Sequence, residues 1–294
     1  MEKWPNFFIV GAPKAGTTSL YEYLKNIPDI YMSPVKEPNY FSINTVPNDH
    51  PVLKPIRDKK QYLALFEEVT NEKIIGEASP DYLSDKDAPT LIHQIIPHAL
   101  IVILLRDPVE RAFSDYLIHI RQGLMKLSFH DELRNEFKEK IDRSKPNCRL
   151  DYGFYSESVK KYLDTFGSKQ VKIIIFEEFI KNTKASVEDI LQFLNLNHSI
   201  SSFDNKIHNP YQGPRGSVAQ HMLTSKTASK IAKKILSSST RKIIRERILV
   251  EKKPKPEMNS EDRDTLTKFY RDDVIKLESL LGLKLPWKNF YDVV

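Results

Sequence analysis

Residues 11–18, GAPKAGTT, follow the apolar run FFIV (7–10) and lead directly into the helical-period segment TTSLYEYLKN (17–26). A glycine-rich turn in that setting presents backbone N–H groups and the positive end of a helix to a phosphate. Gly11 and Gly16 carry the spacing of the nucleotide loop GxxxxGK[ST], yet Thr17 stands where that loop has its lysine, and Lys14 sits inside the turn. A magnesium-nucleotide loop needs the displaced lysine to reach the β and γ phosphates, so a different ligand is indicated. A lysine in mid-loop points across the bound phosphate toward whatever is attached to it, while Thr17 and Thr18 cap and bind the phosphate. That arrangement suits a single 5′-phosphate carrying a transferable group.

A second anion element is ILLRDPVERAFSDY (103–116). Arg106 ends a buried strand, Asp107 can cap the helix that follows, and Pro108 sits well at a first helical position. Ser114, two turns into that helix, could share one phosphate with Arg106.

The elements that must position these residues alternate along the chain. FFIV (7–10), KIIG (73–76), LIVILL (100–105) and VKIIIF (171–176) read as strands buried on both faces. TTSLYEYLKN, KQYLALFEEV (60–69), APTLIHQII (88–96), PVERAFSDYLIHI (108–120) and SESVKKYLDTF (156–166) read as helices between them. This order predicts an α/β domain, three-layered, with a mostly parallel central sheet whose ligands bind beyond the strand C-termini. The C-terminal third shows no comparable strand. It predicts a helical basic cover at about 208–258 and a packing helix at about 259–281, with Leu266, Phe269, Tyr270, Val274, Leu277 and Leu281 on its apolar face and Gly282 as its stop. One domain over residues 1–294 is expected.

The chain has 294 residues, 40% of them hydrophobic, and a formal net charge of +6. Residues 218–248 hold eight Lys or Arg (Lys226, Lys230, Lys233, Lys234, Arg241, Lys242, Arg245, Arg247) against one acid, Glu246, a local +7 that exceeds the whole excess. The remainder is near neutral, which argues against a general nucleic-acid coat and for one surface that meets something anionic. No run approaches the length of a membrane span, and no secretory leader is visible, so no integral membrane association is expected. A single cysteine, Cys148, excludes an internal disulfide and a cysteine-based zinc cluster and points to a reducing, cytoplasmic compartment. Nothing in the sequence specifies an oligomeric state.

Taken together, the segments resemble the sulfotransferases that use 3′-phosphoadenosine 5′-phosphosulfate (PAPS), in particular the carbohydrate branch of the heparan sulfate sulfotransferases and their bacterial relatives. GAPKAGTTSLYEYL resembles that family's 5′-phosphosulfate loop, RDPVERAFSDY its 3′-phosphate element and KEPNYF (36–41) its acceptor-side motif. The likeness runs on through GEASPDYL (76–83) and YLDTFGSKQVKIIIFEEF to KPEMNSEDRDTLTKFYRDDVIKLESLLG, and so covers most of the chain.

The resemblance implies a fold like that of the P-loop nucleotide kinases, PAPS as donor, 3′,5′-bisphosphate (PAP) as product and no required metal. Gly11, Lys14, Ala15, Gly16, Thr17 and Thr18 would hold the 5′ end, Arg106 and Ser114 the 3′-phosphate, and Lys253 and Lys255 would add a cationic lid. Lys14 would stabilise the departing bridging oxygen, Glu37 would act as general base, and Lys36 would assist at the sulfuryl group. The alternative for Lys36 and Glu37 is an exposed charged turn set by Pro34 and Pro38. Glu77, read in the loop after the KII strand, is the rival base or an acceptor contact, with Asp81 and Tyr155 as further acceptor contacts; His119 and His208 are lesser candidates. Some relatives have lysine at the position of Ala78, which leaves a cationic contact to an acidic sugar in doubt. Expected acceptors are an oligosaccharide or a small metabolite, and a bacterial tailoring enzyme is one setting. The competing readings are a nucleotide kinase on the same fold and a non-catalytic anion or membrane-surface binder using residues 218–248.

Overall fold

The computed structural model describes residues 2–49, 53–122, 125, 127–138, 150–196, 212–216, 250–252 and 256–291, with isolated positions between 219 and 244. Apolar side chains crowd β1 (Phe7–Gly11), which is buried along its whole length. It is followed by α1 (Thr17–Leu24), β2 (Ile30–Met32), α2 (Lys59–Ala64), β3 (Ile74–Ala78), α3 (Ala88–Ile95), β4 (Leu100–Leu105), α4 (Pro108–Gln122), α5 (Phe129–Lys138), α6 (Ser156–Phe166), β5 (Val171–Ile175), α7 (Phe176–Lys181) and α8 (Thr183–Phe193). The five strands form one sheet in the order β2-β3-β1-β4-β5. Every neighbour pair is parallel, with Phe7 opposite Gly76 and Leu100, and Ile101 opposite Val171. The expected parallel α/β layering is therefore present, and the chain crosses from one side of the central β1 to the other between β3 and β4.

Helix ends follow local chemistry. Asp107 caps α4 by accepting from the Val109 N–H at 2.9 Å, and Pro108 takes the first turn, where its missing N–H costs nothing. The last helix, α9 (Ser260–Leu281), starts at Asn259, whose side chain accepts from Asp262 N–H at 2.7 Å. It stops at Gly282 with φ +65°, where the N–H groups of Gly282 and Leu283 both return to the Glu278 carbonyl. Leu266, Tyr270, Val274 and Leu277 are buried as expected, while Phe269 and Leu281 are only partly so.

Two differences from the sequence reading concern strands. β2, Ile-Tyr-Met, is only three residues long, too short a run to be read as a strand. The C-terminal third holds a short antiparallel pair, β6 (Gln212–Pro214) with β7 (Val250–Lys252). Residues cluster in two compact units, the first comprising Met1–Arg111, Asp151–His208 and Thr267–Val294 and the second Ala112–Leu150 and Asn209–Leu266. The first unit contains the five-stranded sheet. The eight basic residues of the 218–248 stretch lie outside the described residues, as do Lys253, Lys255 and His208.

Candidate active site

The C-terminal ends of β1, β2, β3 and β4 each lead into a segment singled out above. After β1, the 11–18 turn is shaped by two left-handed residues, Lys14 (φ +70°) and Gly16 (φ +89°). Gly16 is the N-cap of α1 and, having no side chain, leaves the helix start uncapped by any side chain. The first-turn amides of an eight-residue helix thus face the turn with no carboxylate competing for them. Gly11 is required by close approach: a Cβ there would lie 2.4 Å from the Leu83 Cβ. Its neighbours anchor the turn on both sides, since Leu83 N–H donates to the Val10 carbonyl at 2.7 Å and Ala12 N–H to the Leu104 carbonyl at 2.6 Å. Ala15 and Thr17 are buried beneath the turn, and Thr18 is partly exposed.

Arg106, immediately after β4, donates from Nη1 to the Lys14 carbonyl at 2.8 Å and stacks its guanidinium 4.7 Å above the Phe176 ring. Its buried Nε has no hydrogen-bond partner among the described residues. The same Phe176 ring lies 3.0 Å from where a Gly16 Cβ would stand. One aromatic side chain, the first residue of α7, therefore packs under both anion elements, and nothing in the sequence reading singled it out.

The surroundings of Arg106 are built by distant residues. Glu177 accepts from the Asp107 N–H at 3.1 Å through Oε1 and from the Trp287 indole at 3.0 Å through Oε2. Asn289 donates to Asp107 Oδ2 at 2.6 Å. Burial pushes the Asp107 carboxyl up to about 6, against the opposing pull of Asn289 and the Val109 amide. Tyr155 is only 1% exposed and donates its hydroxyl to the Arg106 carbonyl at 3.0 Å. It sits in the core and has no surface to offer an acceptor. Ser114 lies two turns along α4, and His119 lies on the same helix.

After β2, Lys36 and Glu37 form an ion pair with their side chains 20% and 31% exposed. Glu37 (φ +62°) and Asn39 (φ +53°) both occupy the left-handed region, which non-glycine residues hold only when their surroundings over-determine it. Arg57, unremarked in the sequence reading, does much of that: its guanidinium donates to the carbonyls of Asn39, Tyr40, Ser42 and Val46. Asp85 accepts from the backbone N–H groups of Asn44 and Thr45.

Glu77 is within β3 rather than in a loop after it, and it is fully buried. Its Oε1 accepts from the hydroxyls of Tyr62 at 2.8 Å and Tyr82 at 2.7 Å, and its Oε2 from Ser79 at 2.7 Å. Burial pushes this carboxyl up to about 7, and the three hydroxyl bonds hold it from going further. Asp81 is 4% exposed and accepts from the Tyr152 hydroxyl at 3.1 Å. Both expected acceptor-side carboxylates are thus buried and engaged by hydroxyls. Among the described residues no group of three His, Cys, Asp or Glu side chains is arranged to hold a metal, and no helix is long and apolar enough to cross a membrane.

Residues 5–280 match the family model described as the sulfotransferase domain. The chain belongs to the sulfotransferase family. The sulfotransferase from Alicyclobacillus acidocaldarius superposes with a TM-score of 0.74 at 32% identity, covering 97% of this chain and 99% of that one. Carbohydrate sulfotransferase 15 of Mus musculus is 29% identical over 248 residues, 65% of this chain and 44% of the relative. The human bifunctional heparan sulfate N-deacetylase/N-sulfotransferase 1 is 24% identical over 294 residues, 97% of this chain and 31% of the relative. This sulfotransferase domain thus spans less than half the length of the curated relatives it matches. The resemblance drawn from the two anion motifs and the expected fold both hold.

Proposed function

We propose that this sulfotransferase domain moves a sulfuryl group from PAPS to a hydroxyl or amine of a carbohydrate or small-molecule acceptor, with Glu37 as general base. The observation that carries the reading is the hydrogen bond from Arg106 Nη1 to the Lys14 carbonyl. It joins the turn suited to a 5′-phosphate and the arginine suited to a second phosphate, which is the demand of a nucleotide phosphorylated at both ends. The uncapped start of α1 and the unpartnered Nε of Arg106 fit such a ligand.

PAPS supplies an activated sulfuryl group whose leaving oxygen belongs to a nucleotide phosphate. The chain's own task is positioning and charge stabilisation, as in phosphoryl transfer. The turn from Gly11 to Thr18 binds the 5′ end through its amides, with Gly16 keeping the backbone close. Lys14, whose carbonyl is pinned by Arg106, places its ammonium to neutralise charge on the leaving oxygen. Arg106 binds the 3′-phosphate; the assignment of Ser114 to the same phosphate rests on the motif alone, as does the cationic lid of Lys253 and Lys255. Glu37 takes the proton of the acceptor, and Lys36, already paired with it, offers its charge to the sulfuryl group in transit. The carbohydrate relatives favour an oligosaccharide among the acceptors.

Two measurements test the reading. Adenosine 3′,5′-bisphosphate at about 100 times its dissociation constant should add about 2.7 kcal/mol to stability, whereas ATP with magnesium should add nothing. A shift with magnesium ATP alone would overturn the donor class. With labelled PAPS and N-deacetylated heparan sulfate, or small hydroxylated acceptors, Lys14→Ala and Glu37→Ala should each lose about 10²-fold or more in kcat while binding the bisphosphate normally.

A further inference from the structure

Glu77 has no place in the mechanism above, yet it is fully buried and accepts from three hydroxyls. What it touches leads back to the acceptor-side loop. The loop from Ser33 to Phe41 lies along the end of β3 and is held through the amides of Ser33, Glu37, Asn39 and Phe41. Ser33 N–H donates to the Gly76 carbonyl at 2.8 Å and Glu37 N–H to the Ala78 carbonyl at 2.9 Å. Beyond that point β3 has no further carbonyl to offer, and hydroxyls take over: Asn39 N–H donates to Ser79 Oγ at 3.1 Å and Phe41 N–H to the Tyr82 hydroxyl at 3.3 Å.

A hydroxyl has one proton. Ser79 and Tyr82 receive those amides on a lone pair while their own protons point away, and both protons are directed to Glu77. The third donor, Tyr62, is aligned by the same carboxylate, and its ring stacks on Tyr40 of the loop with centroids 4.3 Å apart. Phe41 packs edge-on against both Tyr62 and Tyr82 at 5.8 Å. Chains of hydrogen bonds that end on a buried carboxylate polarise each member toward it.

We propose that Glu77 is a positioning residue: by accepting the protons of Ser79, Tyr82 and Tyr62, it orients two of those hydroxyls so that their lone pairs meet the loop amides and fixes the segment that presents Lys36 and Glu37. The inference rests on the reading of Glu37 as the base. The left-handed backbone at Glu37 and Asn39 is the strain that this network, with Arg57, holds in place. The three hydroxyl donors offset part of the burial that pushes this carboxyl up to about 7.

The test is residue-resolved amide exchange, with adenosine 3′,5′-bisphosphate as the binding probe. In Glu77→Gln the amide oxygen can keep the two tyrosine hydroxyls at the Oε1 position, but the NH₂ then faces Ser79 and releases its proton. Asn39 N–H should exchange at least 10-fold faster, Phe41 should change little, and Ser79→Ala should reproduce the Asn39 effect with no further increase in the double variant. The bisphosphate dissociation constant should stay within about twofold. With PAPS and N-deacetylated heparan sulfate, kcat should fall about 10-fold with the KM for PAPS unchanged. Asn39 protection that is unaltered in Glu77→Gln, or exchange that rises equally throughout β1 and β4, would overturn the proposal. Should Glu77→Gln not fold, Ser79→Ala and Tyr82→Phe decide between the same outcomes by exposing Asn39 and Phe41 separately. Full turnover in Glu37→Gln, with Asn39 still responding to Glu77→Gln, would remove the base assignment and leave the loop assignment supported.

Discussion

Replacing Glu77 by glutamine removes a titrating group from the core while conserving its shape, and its effect on stability is set by pH. In the folded chain burial holds the carboxyl at about 7, whereas the ordinary value is 4.5. Between those two values the folded state carries a proton that the unfolded state lacks. Linkage then makes stability greatest below about 4.5, falling as pH rises and levelling above about 7. Integrated from pH 5 to pH 8, the loss amounts to about 2–3 kcal/mol. At an unfolding entropy of about 2 cal/mol/K per residue, that corresponds to roughly 4 °C in Tm. The groups facing the carboxyl are the hydroxyls of Tyr62, Tyr82 and Ser79, and burial drives both tyrosines well above their ordinary value. None of these partners titrates in the window. The assay is thermal unfolding of parent and variant at pH 5 and pH 8. Other groups, Asp107 among them, titrate equally in both proteins and cancel in the comparison. The parent should lose about 4 °C more than the variant over that interval. An identical pH slope in the two would refute the claim that Glu77 is an interior carboxyl held near neutrality.

Three further outcomes follow from the site. Arg106→Ala removes the donor to the Lys14 carbonyl along with the phosphate contact, so the bisphosphate dissociation constant measured by calorimetry should rise on the order of 10²-fold; an unchanged constant would dismiss the arginine. Gly16→Ala forces a side chain into φ +89° and to within 3.0 Å of Phe176, and should cost about 1–3 kcal/mol in denaturant unfolding together with weaker bisphosphate binding. Tyr155→Phe loses only the bond to the Arg106 carbonyl. It should cost about 1 kcal/mol of stability with acceptor KM unchanged, whereas a raised acceptor KM would return Tyr155 to the substrate surface.

The parts of this molecule that were legible in advance are those whose physics is local. A buried strand, two glycines and paired threonines occur within twelve residues, so the 5′-phosphate turn could be read directly, as could the cap at Asp107 and the stop at Gly282. Glu77 shows the limit. Its neighbours in sequence mark a short strand, but its partners Tyr62 and Tyr82 come from a helix and a turn that only the folded chain brings together, and those hydroxyls convert a candidate base into a buried acceptor. The partner of Tyr155 was hidden for the same reason, since its hydroxyl meets a carbonyl 49 positions earlier. Arg57 and Phe176 escaped notice because each acts by the shape of its contacts, carbonyls in one case and a ring face in the other, which no residue pattern encodes. Helices α5, α7 and α8 were not distinguished from the segments flanking them.

The bonds from Trp287 to Glu177 and from Asn289 to Asp107 carry a consequence for how this protein is made. Arg106 leaves the ribosome some 180 residues before the two side chains that complete the wall behind it. The last strand of the sheet, β5, precedes Trp287 by about 110 residues, so at roughly 5–20 residues per second some 5–20 seconds pass with the sheet able to form while this corner of it stays unfinished. The nascent chain therefore acquires its scaffold well before it acquires a fully braced arginine, and ligand binding matures after the rest of the fold.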